Sequence, residues 1–194
     1  AGSHITQNGA LSVVGTPTFT VSTINSDILL STAANNFITT PIITNNSNVR
    51  DFSLRHISST AAVPSLPTGL RNLTLIFNNA AITLPAFTII GNATLFSGGA
   101  ISQSGAVAVS GILSATSVGG INLTNNLNTI NSFNSNNSVS GAIQLVSTSS
   151  PLTITGINQS GGGGISITNT GTLSVANGAS INAISSNTVI TATD

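Results

Sequence analysis

The chain has 194 residues with three Arg, three Asp, no Lys and no Glu, so only 3% of its residues are charged and the net charge is zero. Ordinary soluble domains carry about 25% charged residues. This balance excludes the basic footprint that nucleic acid requires and any electrostatic pull toward anionic lipid, and the absence of Cys excludes disulfides and thiolate metal sites.

Ser, Thr, Asn, Gly and Ala alternate with Ile, Leu and Val along the whole chain, and Phe is the sole aromatic. β-branched residues and Thr favour strands, Gly and Asn favour turns, and the strong helix formers are nearly missing. An all-β fold is expected. No apolar run approaches the ~20 residues of a membrane helix, so no membrane insertion is expected.

Taken from the start, Ile5-Thr6-Gln7-Asn8-Gly9-Ala10-Leu11-Ser12-Val13 recurs as Ile101-Ser102-Gln103-Ser104-Gly105-Ala106-Val107-Ala108-Val109, at an offset of 96 that also relates Phe37 to Phe133. Ile157-Asn158-Gln159-Ser160-Gly161 is a partial third copy. Asn35-Asn36, Asn45-Asn46, Asn78-Asn79 and Asn125-Asn126 read as turns that tolerate left-handed backbone. Arg50-Asp51-Phe52-Ser53-Leu54 realigns with Arg71-Asn72-Leu73-Thr74-Leu75. Between them, residues 58–70 alternate poorly, contain Pro64, Pro67 and Gly69, and are expected to bulge outward as a loop. Ile82 and Ile101, Phe77 and Phe96, and Ile90 and Val109 are each 19 apart. Ile143-Gln144-Leu145 realigns with Ile165-Ser166-Ile167, and Leu152-Thr153-Ile154 with Leu173-Ser174-Val175, at 22 and 21.

These offsets define a unit of 19 to 22 residues, repeated about nine times over a single continuous segment, 1–194. Runs as short as Leu73-Thr74-Leu75 are too short to stand as isolated hairpins, but each can pair in parallel with its equivalent one coil on, at about 4.8 Å. Apolar side chains then stack inside and Thr, Ser and Asn outside. The scarcity of charge follows, because a charge in every coil would stack like on like. The spacing of Phe19, Phe37, Phe52, Phe77, Phe87, Phe96 and Phe133 among Ile and Leu predicts an internal aromatic stack.

At Ile101–Val109, and at the Gly98-Gly99-Ala100-Ile101 lead-in, the sequence resembles the filamentous haemagglutinin-type repeats of two-partner secretion exoproteins and giant bacterial surface adhesins. The resemblance implies a right-handed parallel β-helix, export through an outer-membrane transporter, a secreted or cell-surface location, and adhesion to a host-cell glycan or protein receptor. Ala1–Ile5 aligns with Ser97–Ile101, and neither end reads as a polar cap. The segment is therefore expected to continue into its own chain or into head-to-tail copies.

Chemistry-bearing residues are few. Arg50, Asp51, Arg55, His56 and Arg71 form the only charged cluster, a candidate surface contact. The alternative for Arg50, Asp51 and Arg71 is a structural ladder, with Asp51 offsetting two stacked guanidinium groups. His56 falls at the coil position of Phe77 and Phe96, which favours a stacked ring over a general base. Asp27 and Asp51, about one coil apart, are the only carboxylates that could meet for glycan cleavage. Gly161–Gly164 lacks the Lys and following helix of a phosphate loop. Thr16-Pro17-Thr18, Thr168-Asn169-Thr170 and Thr191-Ala192-Thr193 are T-x-T elements of the sort an ice-binding solenoid would need in every coil. No cofactor or metal is expected. The expected function is a non-catalytic structural and adhesive stalk, with a self-assembling extracellular filament as the alternative.

Overall fold

The computed structural model describes residues 4–184 and 186–193. It is a parallel β-solenoid, and no α-helix occurs among the described residues; one 3-10 turn, Asn46–Asn48, is the only helical element there. Every strand pairing is parallel. One inward column counts the coils: Ile5, Ile28, Phe52, Leu73, Ala93, Leu113, Phe133, Ile154 and Val175 are successive partners. The nine coils rise by 20 to 24 residues along that column, the first two being the longest. The expected 19 to 22 thus holds for the middle coils and falls short at the start and again at the last step, where Ile157 pairs with Ile181 and Ile165 with Thr188.

Each coil has three faces. In the fifth coil they are Ala93–Ser97, Ile101–Gln103 and the opening residues of Val107–Ser117. The first and third faces belong to one sheet, because strands such as Val107–Ser117 bend round the corner between them with a register shift between Val109 and Ile112. The second face is its own six-stranded sheet. Its inner column is Ile82, Ile101, Ile121, Ile143 and Ile165, all buried. Burying one Ile in this way contributes roughly 2 kcal/mol, and the branched side chain packs flat on the pleat.

Three expectations are corrected. Phe96 pairs with Ile76, and Phe77 with Ser97, so the step here is 20 and Phe96 points outward, 37% exposed. Likewise Val109 pairs with Ile89, which leaves Ile90 outside. Period-two alternation makes a one-residue slip an inside-out error. Residues 58–70 do not bulge. They form no strand, and Pro64 and Pro67 have no N–H to give to a ladder. Even so, Pro64, Pro67 and Leu70 are buried, and Ala61, Val63 and Leu66 pack on the core, so the segment closes the third coil.

The offset of 96 also means something other than face equivalence. Ile5 lies on the first face and Ile101 on the second. What repeats is an amide clasp. Gln7 and Asn35 exchange hydrogen bonds across adjacent coils, and Asn35 Oδ1 also accepts the Leu11 N–H. Gln103, Asn128 and Val107 do the same. Asn35 is therefore a fully buried strand residue, not a turn; of the Asn pairs read as turns, only Asn45 has a left-handed backbone.

Candidate functional site

The five residues singled out from the sequence separate into three environments. Asp27 and Asp51 are direct partners on adjacent coils, a like-charge pairing that is unfavourable by itself. Two guanidinium groups relieve it. Arg50 grips Asp27 with both ends of its fork, Nε to Oδ1 at 3.0 Å and Nη2 to Oδ2 at 2.6 Å. Arg71 grips Asp51 the same way, Nε to Oδ1 at 3.0 Å with Nη2 on the other oxygen. Arg50 Nε is also 3.7 Å from Asp51 Oδ2. The bond to Asp51, and then its negative charge, push the Arg71 pKa up.

This edge is part of a longer neutral pattern. Asp51 Oδ1 accepts the backbone N–H of Asn72 at 3.2 Å, Asn72 Oδ1 that of Asn92 at 2.9 Å, and Asn92 Oδ1 that of Ile112 at 2.9 Å. At the first step His4 Nδ1 accepts the Asp27 N–H at 3.0 Å. His4, Asp51, Asn72 and Asn92 thus each hold the same position of the next coil, while Asp27 is taken up by Arg50, and the carboxylate of Asp51 does what Asn does further along. Arg50, Asp51 and Arg71 form a structural ladder. Because both carboxylates are engaged by guanidinium groups, neither is free as an acid–base pair.

His56 is not a surface contact. Alternation along Val49–His56 turns Arg55 outward and His56 inward, where it is 1% exposed. Its ring packs edge-on between Phe37 at 5.2 Å and Phe77 at 6.0 Å, and Nδ1 accepts the Ser58 N–H at 3.1 Å. Burial lowers its pKa, favouring the neutral ring. Phe19, Phe37, His56 and Phe77 do form an internal stack. Phe96 does not join it; Ser97, Ser117, Asn137 and Gln159 follow in the buried column, and the three last are linked by hydrogen bonds at 2.8 Å.

Arg55 stands on the outer side of the first face. Its Nε donates to Asn78 Oδ1 at 3.0 Å, and among the described residues it makes no ion pair. Up the same outer column its successive partners are Ile76, Phe96, Thr116, Asn136, Asn158 and Asn182. Two shallow depressions lie on this column, one of about 400 Å³ beside Phe96 and one of about 340 Å³ among the stacked Asn side chains. Pairing Phe with Phe concealed this row; the alternation Ala93-Leu95-Ser97 marks position 96 as outward.

Among the described residues no group of three His, Cys, Asp or Glu could hold a metal ion. No helix there is long and apolar enough to cross a membrane. The T-x-T elements do not form a repeating array: Thr168 and Thr170 stack on Thr191 and Thr193, and the next partner of Thr168 is Val146.

No curated protein and no solved structure matches the chain. A family model described as "Repeats of unknown function (DUF5649)" matches residues 1–44 and 70–145, more than half of the sequence. The gap between the two matched stretches, 45–69, holds the 3-10 turn, the whole of the charged strand and nearly all of the strandless segment of the third coil. With the repeating coils on both sides of that gap matched, the chain belongs to the DUF5649 family of repeats.

Proposed function

We propose that this segment is a non-catalytic stalk of a secreted or surface-displayed fibrous bacterial protein. The observation that carries the reading is the unbroken inward column from Ile5 to Val175, with backbone ladders joining every coil to the next. Hydrogen bonds and core run the length of the molecule, so bending it requires many of them to yield together. From residue 72 to residue 193 no side chain is charged, which lets equivalent positions stack without repulsion. The resemblance of Ile101–Val109 to haemagglutinin-type repeats supports a place outside the cell, export through an outer-membrane transporter, and a host-cell receptor as partner.

Two measurements test this. Deleting residues 92–131 removes two whole coils and lets Leu73 meet Phe133. The chain should still fold, and X-ray scattering should show a rod shorter by about 10 Å. Immunogold labelling of the intact polypeptide in its own cells should decorate thin fibres at the surface. Labelling confined to the cell interior would refute the stalk.

A further inference from the structure

We infer that the outer column from Arg55 to Asn182 is a binding track for an acidic oligosaccharide lying along the axis of the rod. The track combines a cation, an aromatic face, a hydroxyl and amides in a single row. Arg55 carries it at one end, and among the described residues it is the one arginine without a carboxylate partner. Its Nε is held by Asn78 Oδ1, so Asn78 positions the guanidinium, whose other N–H groups make no ion pair among the described residues. A planar fork of this kind pairs with a carboxylate or sulfate. Two coils on, Phe96 offers an exposed ring on a flat sheet, beside Ile76, Thr94, Ser114 and Thr116. The C–H face of a pyranose packs on such a ring, and the flanking hydroxyls meet its hydroxyl groups. Beyond Thr116 the row becomes amide. Asn158 Nδ2 donates to Asn136 Oδ1 at 2.8 Å, and Asn134 and Asn182 line the same depression.

The coil spacing of about 4.8 Å is close to the length of one sugar unit in a linear glycan. Successive sugars can therefore address successive coils, over about 29 Å from Arg55 to Asn182. Other ligand classes fit worse. Nucleic acid needs several cations along its path, and the track has one. An extended peptide adds to an open sheet edge, whereas the backbone beneath this row is already paired on both sides from Ile76 to Asn158.

The inference goes beyond the stalk reading and does not depend on it. The test is a glycan array carrying carboxylate- and sulfate-bearing oligosaccharides beside their uncharged counterparts, followed by titration of the strongest binder. Retention should be confined to acidic oligosaccharides. Arg55→Gln and Phe96→Ser should each weaken binding about tenfold or more with an unchanged thermal midpoint, and Arg71→Gln, on the structural edge, should leave binding unchanged. Absence of any acidic binder, equal retention of the uncharged counterparts, or wild-type affinity in folded Arg55→Gln would overturn the proposal. Each of those outcomes leaves the stalk intact.

Discussion

Gln103 and Asn128 hold each other across two coils by paired amide bonds, Nε2 to Oδ1 and Nδ2 to Oε1, both at 2.9 Å. Asn128 also accepts the Val107 N–H and donates to the carbonyls of Leu123 and Val146, so one fully buried amide serves three consecutive coils. Asn128→Ala would leave several buried polar groups unpaired at once. The expected cost is about 3 kcal/mol or more, read as a lower urea midpoint. Asn128→Asp keeps the acceptor role and loses the donor role, and is expected to destabilise as well.

Close stacking makes some glycines obligatory. A Cβ on Gly98 would sit 2.0 Å from the Asn78 carbonyl oxygen of the preceding coil, with no flexible atom to give way. Gly98→Ala should cost about 2 kcal/mol or more through forced separation of the coils. At Gly9 nothing among the described residues lies within 4 Å of an added Cβ, and Gly9→Ala should stay within about 0.5 kcal/mol of wild type. Thermal unfolding of the two variants side by side makes the comparison.

His56 gives the fold a pH dependence of known sign. Its folded pKa is lowered by burial from an ordinary 6.5, so its stabilisation is full above the unfolded value and is lost as pH falls toward the folded one. Stability measured on either side of pH 6.5 should drop on the acid side. His56→Phe continues the aromatic stack between Phe37 and Phe77 and should remove that part of the slope.

One buried hydroxyl works against the core. Ser135 lies between Ala115 and Ile157 in an inward column, and its Oγ has no hydrogen-bond partner among the described residues. Ser135→Ala should therefore raise stability by about 1 kcal/mol, measured by urea unfolding. An equal or lower midpoint would show that the hydroxyl is satisfied.

The coils were legible in the sequence where strands alternate and equivalent residues are alike, as at Ile82 and Ile101, Ile143 and Ile165, and Leu152 and Leu173. They were misread where likeness of residue and likeness of position part company. Phe96 resembles Phe77 but occupies the place of Ile76, because the backbone advances by 20 there and the side-chain period is two. The offset of 96 was likewise a true repeat of a hydrogen-bonding device and a false guide to face. Of the candidate site, the Arg50–Asp51–Arg71 ladder was legible from charge alternation, and His56 from its match to Phe77. The outer row was not, since its first four members, Arg55, Ile76, Phe96 and Thr116, share no chemistry and are joined to the three Asn beyond them only by register.

The two clasps sit at different corners of the coil, Gln7 leaving the first face and Gln103 leaving the second. A stay fixed repeatedly to one side of a mast leaves the mast free to lean the other way. Shifting the attachment by one face between the two clasps divides the bracing between two corners of the shaft, so that it does not all bear on one side.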